Sequence, residues 1–308
     1  MMKKTVFTIA IIALLAACAP AQLDATSIPA TTTASPRPTA TMTATPRLAA
    51  LWIDRAVPEL LRIAAEESGI PLAESPESAT LHLGVSDAAD ASVWTYALAA
   101  PFPTVQDGIS SKELRALWRG DAGGAVWMAD STKAALTALW GEASPKHVRT
   151  APANLLLDFA WNQGDIFVII PFEELEPRWK ALTIDGQSPL HNDFVVDEYP
   201  LQLSFGVDAP VSLDLPASNR DPDKLTVLVM TGVTALVRAT AYTMEHKGIT
   251  YPAQSIGVWL RNADITHISN EIPFYPECKP PTPGQIGLQF CSDPRYIELL
   301  EFVSADVV

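Results

Sequence analysis

The chain has 308 residues, with 35 Asp and Glu against 21 Lys and Arg, a formal net charge of −14. That balance excludes charge-driven binding to nucleic acid or to an anionic membrane surface, both of which need clustered cations. The acidic residues are dispersed rather than gathered in runs, which reads first as solubility.

Lys3 and Lys4 precede a short apolar run, Thr5 to Ala16, that leads into Ala16-Ala17-Cys18. A basic start, a brief apolar core and small residues before a cut site describe a secretory signal peptide over residues 1–18. The run is too short to stay in a bilayer as a permanent helix. With Cys18 at its end, the segment resembles a bacterial lipobox. That resemblance implies lipid attachment at Cys18 and an extracytoplasmic protein anchored to the cell membrane; an ordinary signal peptide with an incidental cysteine is the alternative. Residues 19–47 are rich in Thr, Ala and Pro. They offer almost nothing to bury and read as an extended, semi-rigid tether.

Residues 48–215 alternate strand and helix patterns, which argues for an α/β layer fold. Asp54 to Ser68 has helical spacing in Val57, Leu60, Leu61 and Ala64, and Ala79 to Val85 alternates like a strand. Val93 to Ala100 reads as another strand. Ser110-Ser-Lys-Glu113 is a capping box opening a helix that runs through Trp118. Ala125 to Met128 is a strand, and Asp130-Ser-Thr is expected to cap a helix from Lys133 to Trp140. Gly164 to Pro171 has the continuous apolar run of a buried strand.

Within this part, Tyr96 to Gly120 resembles the phosphate-type periplasmic solute-binding proteins. In these a strand leads through a hinge to a helix ending in a Trp-x-Gly turn. Gly164 to Phe172 resembles their return strand. The resemblance implies two α/β lobes that close on a ligand, often an anion held at helix N-termini. It makes Ser110, Ser111, Ser131 and Thr132 the candidate ligand-binding residues. Plain helix capping is the competing role for all four. The runs of Ser, Thr and Gly usual after the first strand of that family are not found here.

Residues 216–224 form a polar, turn-prone linker. From Leu225 onward the order is a strand, a Gly-containing turn at Gly232, a helix over Ala239 to Lys247, and a strand reaching Asn270. A Pro- and Gly-rich loop and a last helix follow. The segment Val303 to Val308 reads as the start of a further strand, and the protein is expected to continue past it. This order resembles the CapA-type proteins of poly-γ-glutamate capsule synthesis, which have a calcineurin-like metallophosphatase fold. Gly232 and Arg238 match the first family motif; Ala263, Asp264, Asn270 and Glu271 match the second. The resemblance implies the first part of a metallophosphatase-like α/β sandwich over residues 225–308, a two-metal site of divalent ions, and Asn270 and Glu271 as local metal ligands. It also implies an anionic polymer as substrate and a polymer synthase as partner. Val233 stands where the family has its metal-binding Asp, and valine cannot ligate a hard cation. Catalytic activity is left open on that ground, no catalytic residue is assigned, and a solute-binding lipoprotein working with the membrane subunits of a transporter is the alternative function.

The chain has three cysteines. With Cys18 assigned to lipid, Cys278 and Cys291 bracket a loop that cannot form regular structure, and outside the cytoplasm a disulfide between them is the favoured reading.

Overall fold

A computed structural model describes residues 48–308 apart from 165, 209, 210, 212, 283–286 and 288. The signal peptide, the lipidation expected at Cys18 and the tether therefore lie outside the described residues. Among the described residues no helix is long and apolar enough to cross a membrane.

Strand β1 (Leu51–Ile53) leads to helix α1 (Glu59–Glu66). The helix begins five residues later than its apolar spacing suggests. Asp54 closes a turn on itself, its Oδ1 accepting the Ala56 N–H at 2.7 Å, and Pro58 sits at the helix N-cap. Pro fits a helix start because its missing N–H would be unsatisfied there anyway. Strand β2 (Leu81–Val85) then pairs in parallel with β1.

The long strand β3 (Ser92–Pro101) is buried on both faces from Trp94 to Ala100, which explains its continuous apolar run. Trp94, Tyr96 and Leu98 enter the larger core, while Ala97 and Ala99 enter a second one on the opposite face. Next come β4 (Gly108–Ile109), α2 (Ser111–Arg119), β5 (Val126–Met128), α3 (Asp130–Trp140), β6 (Val148–Thr150) and α4 (Ala153–Gln163). The chain continues through β7 (Phe167–Pro171), β8 (Trp179–Ala181), β9 (Thr183–Ile184) and β10 (Gln202–Val207).

The main sheet runs β1-β2-β10-β3-β7-β5-β6, with β8 added to β3. Strands β1 and β2 run in the direction of β3, whereas β7, β5 and β6 run against it. Val85, the last residue of β2, lies level with Ser92 through their shared partner Phe205. Pro171, the last residue of β7, lies level with Tyr96. The carboxyl ends of the two parallel sets thus approach the first half of β3 from opposite directions. The fold is mixed α/β, as its alternating pattern suggests.

Past residue 224, β11 (Leu228–Thr234), α5 (Arg238–Lys247), α6 (Gly257–Arg261), β12 (Ile265–Asn270) and α7 (Ile297–Phe302) form a smaller layer. Strands β11 and β12 are parallel, with an irregularity between Met230 and Val233. Gly232 therefore lies inside a bulged strand and not in the turn its composition suggested. Val307 bridges His267 in parallel, so only one residue pair of the expected last strand is present. The helices pack Met244, Leu260, Leu299 and Leu300 against Ile268. Leu228, Met230 and Val233 face out and stay exposed.

Candidate ligand-binding cleft

A cavity of about 570 Å³ lies against β1, β2 and the end of β10. One wall is the turn after β1, with Asp54 and Arg55, together with His82 on β2 and Ser86 just after it. Asp208, immediately past β10, and Pro76 complete that side, and Ala134, Thr137 and Ala138 of α3 form the other. Glycine keeps the floor open: a Cβ on Gly206 would stand 3.1 Å from Ser86 Oγ.

The charged groups on the wall are differently employed. Asp54 is committed to its own turn, and its carbonyl accepts Arg62 Nη2 at 2.9 Å. Asp208 accepts both the backbone N–H of His82 at 2.9 Å and its Nδ1 at 2.8 Å. The far ring nitrogen of His82 lies 2.8 Å from Pro76 O. Those contacts, with the Pro76 carbonyl the largest, raise the His82 pKa above its ordinary value despite some desolvation. Arg55 is exposed, and among the described residues its side chain has no partner.

The four candidate ligand-binding residues take different places. Ser110 is the N-cap of α2 and makes the expected capping box, its Oγ accepting the Glu113 N–H at 3.2 Å while Glu113 Oε2 accepts the Ser110 N–H at 2.8 Å. The Ser111 N–H is taken by Asp185 Oδ1 at 3.0 Å. A carboxylate of the protein thus sits where an anion was expected at α2. The Glu113 and Asp185 carboxyls are both held below the usual range, Glu113 first by the Ser110 backbone and Asp185 first by Ser111.

On α3 the expected cap is absent, because the helix already begins at Asp130 and its N-cap is Ala129. Thr132 turns into the core beside Ala135 and Leu136, with 1% of its surface exposed. Ser131 lies one turn before Ala134 and shares its helical face, the one that meets the cavity. Ser131 itself is not among the residues that line the cavity.

Arg55, His82, Ser86 and Asp208 escaped the sequence reading. Asp54 falls at the start of the expected helix, and the partners of His82 lie 6 and 126 residues away. The signal available was positional: polar residues at the ends of two adjacent apolar strands.

The residues matched to the metallophosphatase motifs take separate places. Asn270 donates through Nδ2 to Ile272 O at 2.8 Å and caps the end of β12, while the Glu271 side chain is exposed. Asp264 spends one oxygen on the Val227 N–H at 2.7 Å and the other on Asn192 Nδ2 at 2.9 Å. Arg238 lies over the Phe290 ring, 5.8 Å from its centroid. Val233 is 71% exposed. Among the described residues no three of His, Cys, Asp and Glu converge as metal ligands would. This donor set does not fit the two-cation site that the resemblance implied.

Solved structures with a similar arrangement include an ABC-type phosphate transport receptor from Vibrio cholerae. It matches at 11% identity with a TM-score of 0.41, over 52% of this chain and 85% of that one. A protein described as a possible phosphate binding protein from Planctomyces limnophilus matches at 12% identity with a TM-score of 0.39, over 52% of this chain and 80% of that one. No protein-family model matches the chain, and neither does any curated relative. A likeness this loose does not extend to ligand or partner.

Proposed function

We propose that the chain is an extracytoplasmic solute-binding module that takes a small anion in the cleft and works with the membrane subunits of a transporter. The observation that carries this reading is the meeting of the β1 and β2 ends with α3 around one cavity of about 570 Å³, a size suited to a small ligand. Arg55 supplies an uncommitted cation, and Ser86 and Thr137 supply hydroxyls. Lipid attachment at Cys18 and the tether would hold the module at the membrane face.

A role in handling poly-γ-glutamate, with a polymer synthase as partner, draws no comparable support. The matched residues Arg238, Asp264 and Asn270 are engaged in local contacts, and Glu271 stands apart from other ligating groups.

Calorimetric titration of the purified protein with inorganic phosphate and with sulfate tests the proposal. Saturable binding of either, weakened about tenfold or more by Arg55→Ser, is the expected result; that corresponds to about 1.4 kcal/mol. Absence of saturable binding by any small anion, or affinity unchanged in Arg55→Ser, would overturn the anion reading.

A further inference from the structure

The environment of His82 contains a constraint that neither the fold nor the proposed ligand requires. Its Nδ1 lies 2.8 Å from Asp208 Oδ2 and its Nε2 lies 2.8 Å from Pro76 O. A carboxylate and a backbone carbonyl are both acceptors, and a neutral imidazole carries one N–H. With a neutral ring one contact would set lone pair against lone pair, whereas the imidazolium donates at both ends. Three segments meet at this ring: β2, the turn at Pro76 six residues before His82, and the chain leaving β10, 126 residues on. All three of His82, Pro76 and Asp208 line the same cavity.

We propose that His82 is a proton-operated latch on the rim of the cleft, closed when the ring is charged and loosened when it is neutral. The proposal rests on the anion reading of the cavity for its functional consequence. Of the charged groups on the neighbouring elements, Asp208 after β10 contacts the ring, Asp54 and Arg55 after β1 line the same cavity, and Glu77 follows Pro76 in the chain. The Glu77 carboxylate is held by its own backbone and by Ser75. With His82 charged, the cavity wall of Asp54, Arg55, His82 and Asp208 carries two positive and two negative groups; with His82 neutral it carries one positive and two negative. An anion is therefore favoured on the acid side of the His82 titration. The ring is solvent-accessible, with 38% of its side-chain surface exposed, so protons reach it without unfolding.

Two measurements separate the latch from the reading beneath it. Ring-nitrogen NMR of the full protein follows His82 with no ligand present. A midpoint above about 6.5 is expected; a midpoint at or below that value would overturn the latch. Sulfate is the second probe, because its charge stays constant between about pH 5.5 and 8.5, where histidine titrates. Its affinity is expected to fall about fivefold as His82 loses its proton, and to stay flat in His82→Gln. A pH-independent affinity in the wild type would also overturn the latch. Failure of sulfate and phosphate to bind at any pH would instead defeat the anion reading, and the latch would then stand or fall on the ring titration.

Discussion

Asp185 Oδ1 accepts the backbone N–H of Ser111 at 3.0 Å, across 74 residues of sequence. Asp185 adopts a left-handed conformation, with φ of 50°, to reach that position. The short parallel pair β4–β9 aligns the two segments, and Gly108 is required there because a Cβ would stand 2.6 Å from Thr183 O. The helix end expected to grip a foreign anion is thus satisfied from within, as orphan N–H groups at helix starts usually are.

Replacing Asp185 by Ala should therefore destabilise the protein by about 1 kcal/mol, the usual cost of losing a helix cap. Asp185→Asn keeps an acceptor and tolerates the left-handed backbone, so it should cost less. The pH dependence has a definite sign. The folded carboxyl lies below its ordinary 3.8, so its stabilisation is present above that value and is lost as pH falls through the folded pKa. Denaturant unfolding at about pH 7 and at about pH 3 should show the gap between wild type and Asp185→Ala narrowing in acid, with the strain of Ala in the left-handed backbone left over. A gap of the same size at both pH values would place the effect elsewhere.

Leu98 tests whether β3 unites the main sheet. It is fully buried, and its strand joins β10 and β8 on one edge to β7 on the other. Leu98→Ala should cost about 2–5 kcal/mol, from lost transfer energy and the cavity left behind. Since both sets of parallel strands hang on β3, the variant should unfold through one main-sheet transition at lower denaturant. Two separated main-sheet transitions would show that the two sets are stable independently.

Glu174 makes stability fall as the solution becomes more basic. Burial, reinforced by the Glu173 carboxylate, pushes its carboxyl up from 4.5 to about 7. Glu173 is also raised, chiefly by burial, although Asn219 Nδ2 donates to it at 2.6 Å. Both residues expose more than a third of their overall surface, so solvent damps the size of the effect and the direction is what is claimed. Between 4.5 and about 7 the folded state holds a proton that the unfolded chain has released, so stability declines as pH rises across that window. Glu174→Gln should flatten the decline when thermal unfolding is followed across it. An unchanged slope would assign the decline to other groups.

What could be read from the sequence was local. The Ser110–Glu113 capping box lies within one helical turn and formed as expected. The apolar run ending at Pro171 could only be a buried strand. Ser131 and Thr132 looked equivalent because spacing alone does not say that Thr132 turns into the core. His82 was passed over because its partners lie 6 and 126 residues away. The partners of Asp264 were out of reach for the same reason, since its oxygens are claimed by Val227 and Asn192, 37 and 72 residues distant.

The pair Cys278 and Cys291 brings one such expectation to a direct test. Their Cα atoms are 5.8 Å apart and the sulfurs are within bonding distance. The base of the loop is independently held: Ser292 donates its N–H to Pro273 O at 3.0 Å and its hydroxyl to Leu236 O at 2.9 Å. Reduction should therefore leave the folded loop base in place and act mainly by releasing the unfolded chain, at a cost of about 3 kcal/mol. Thiol titration of the denatured, unreduced protein should find no free thiol besides that of Cys18, if present. Cys278→Ser/Cys291→Ser should match the reduced wild type in stability, and reductant should not lower it further. Two additional free thiols in the unreduced protein, or a wild type indifferent to reductant, would show that the cysteines approach without bonding.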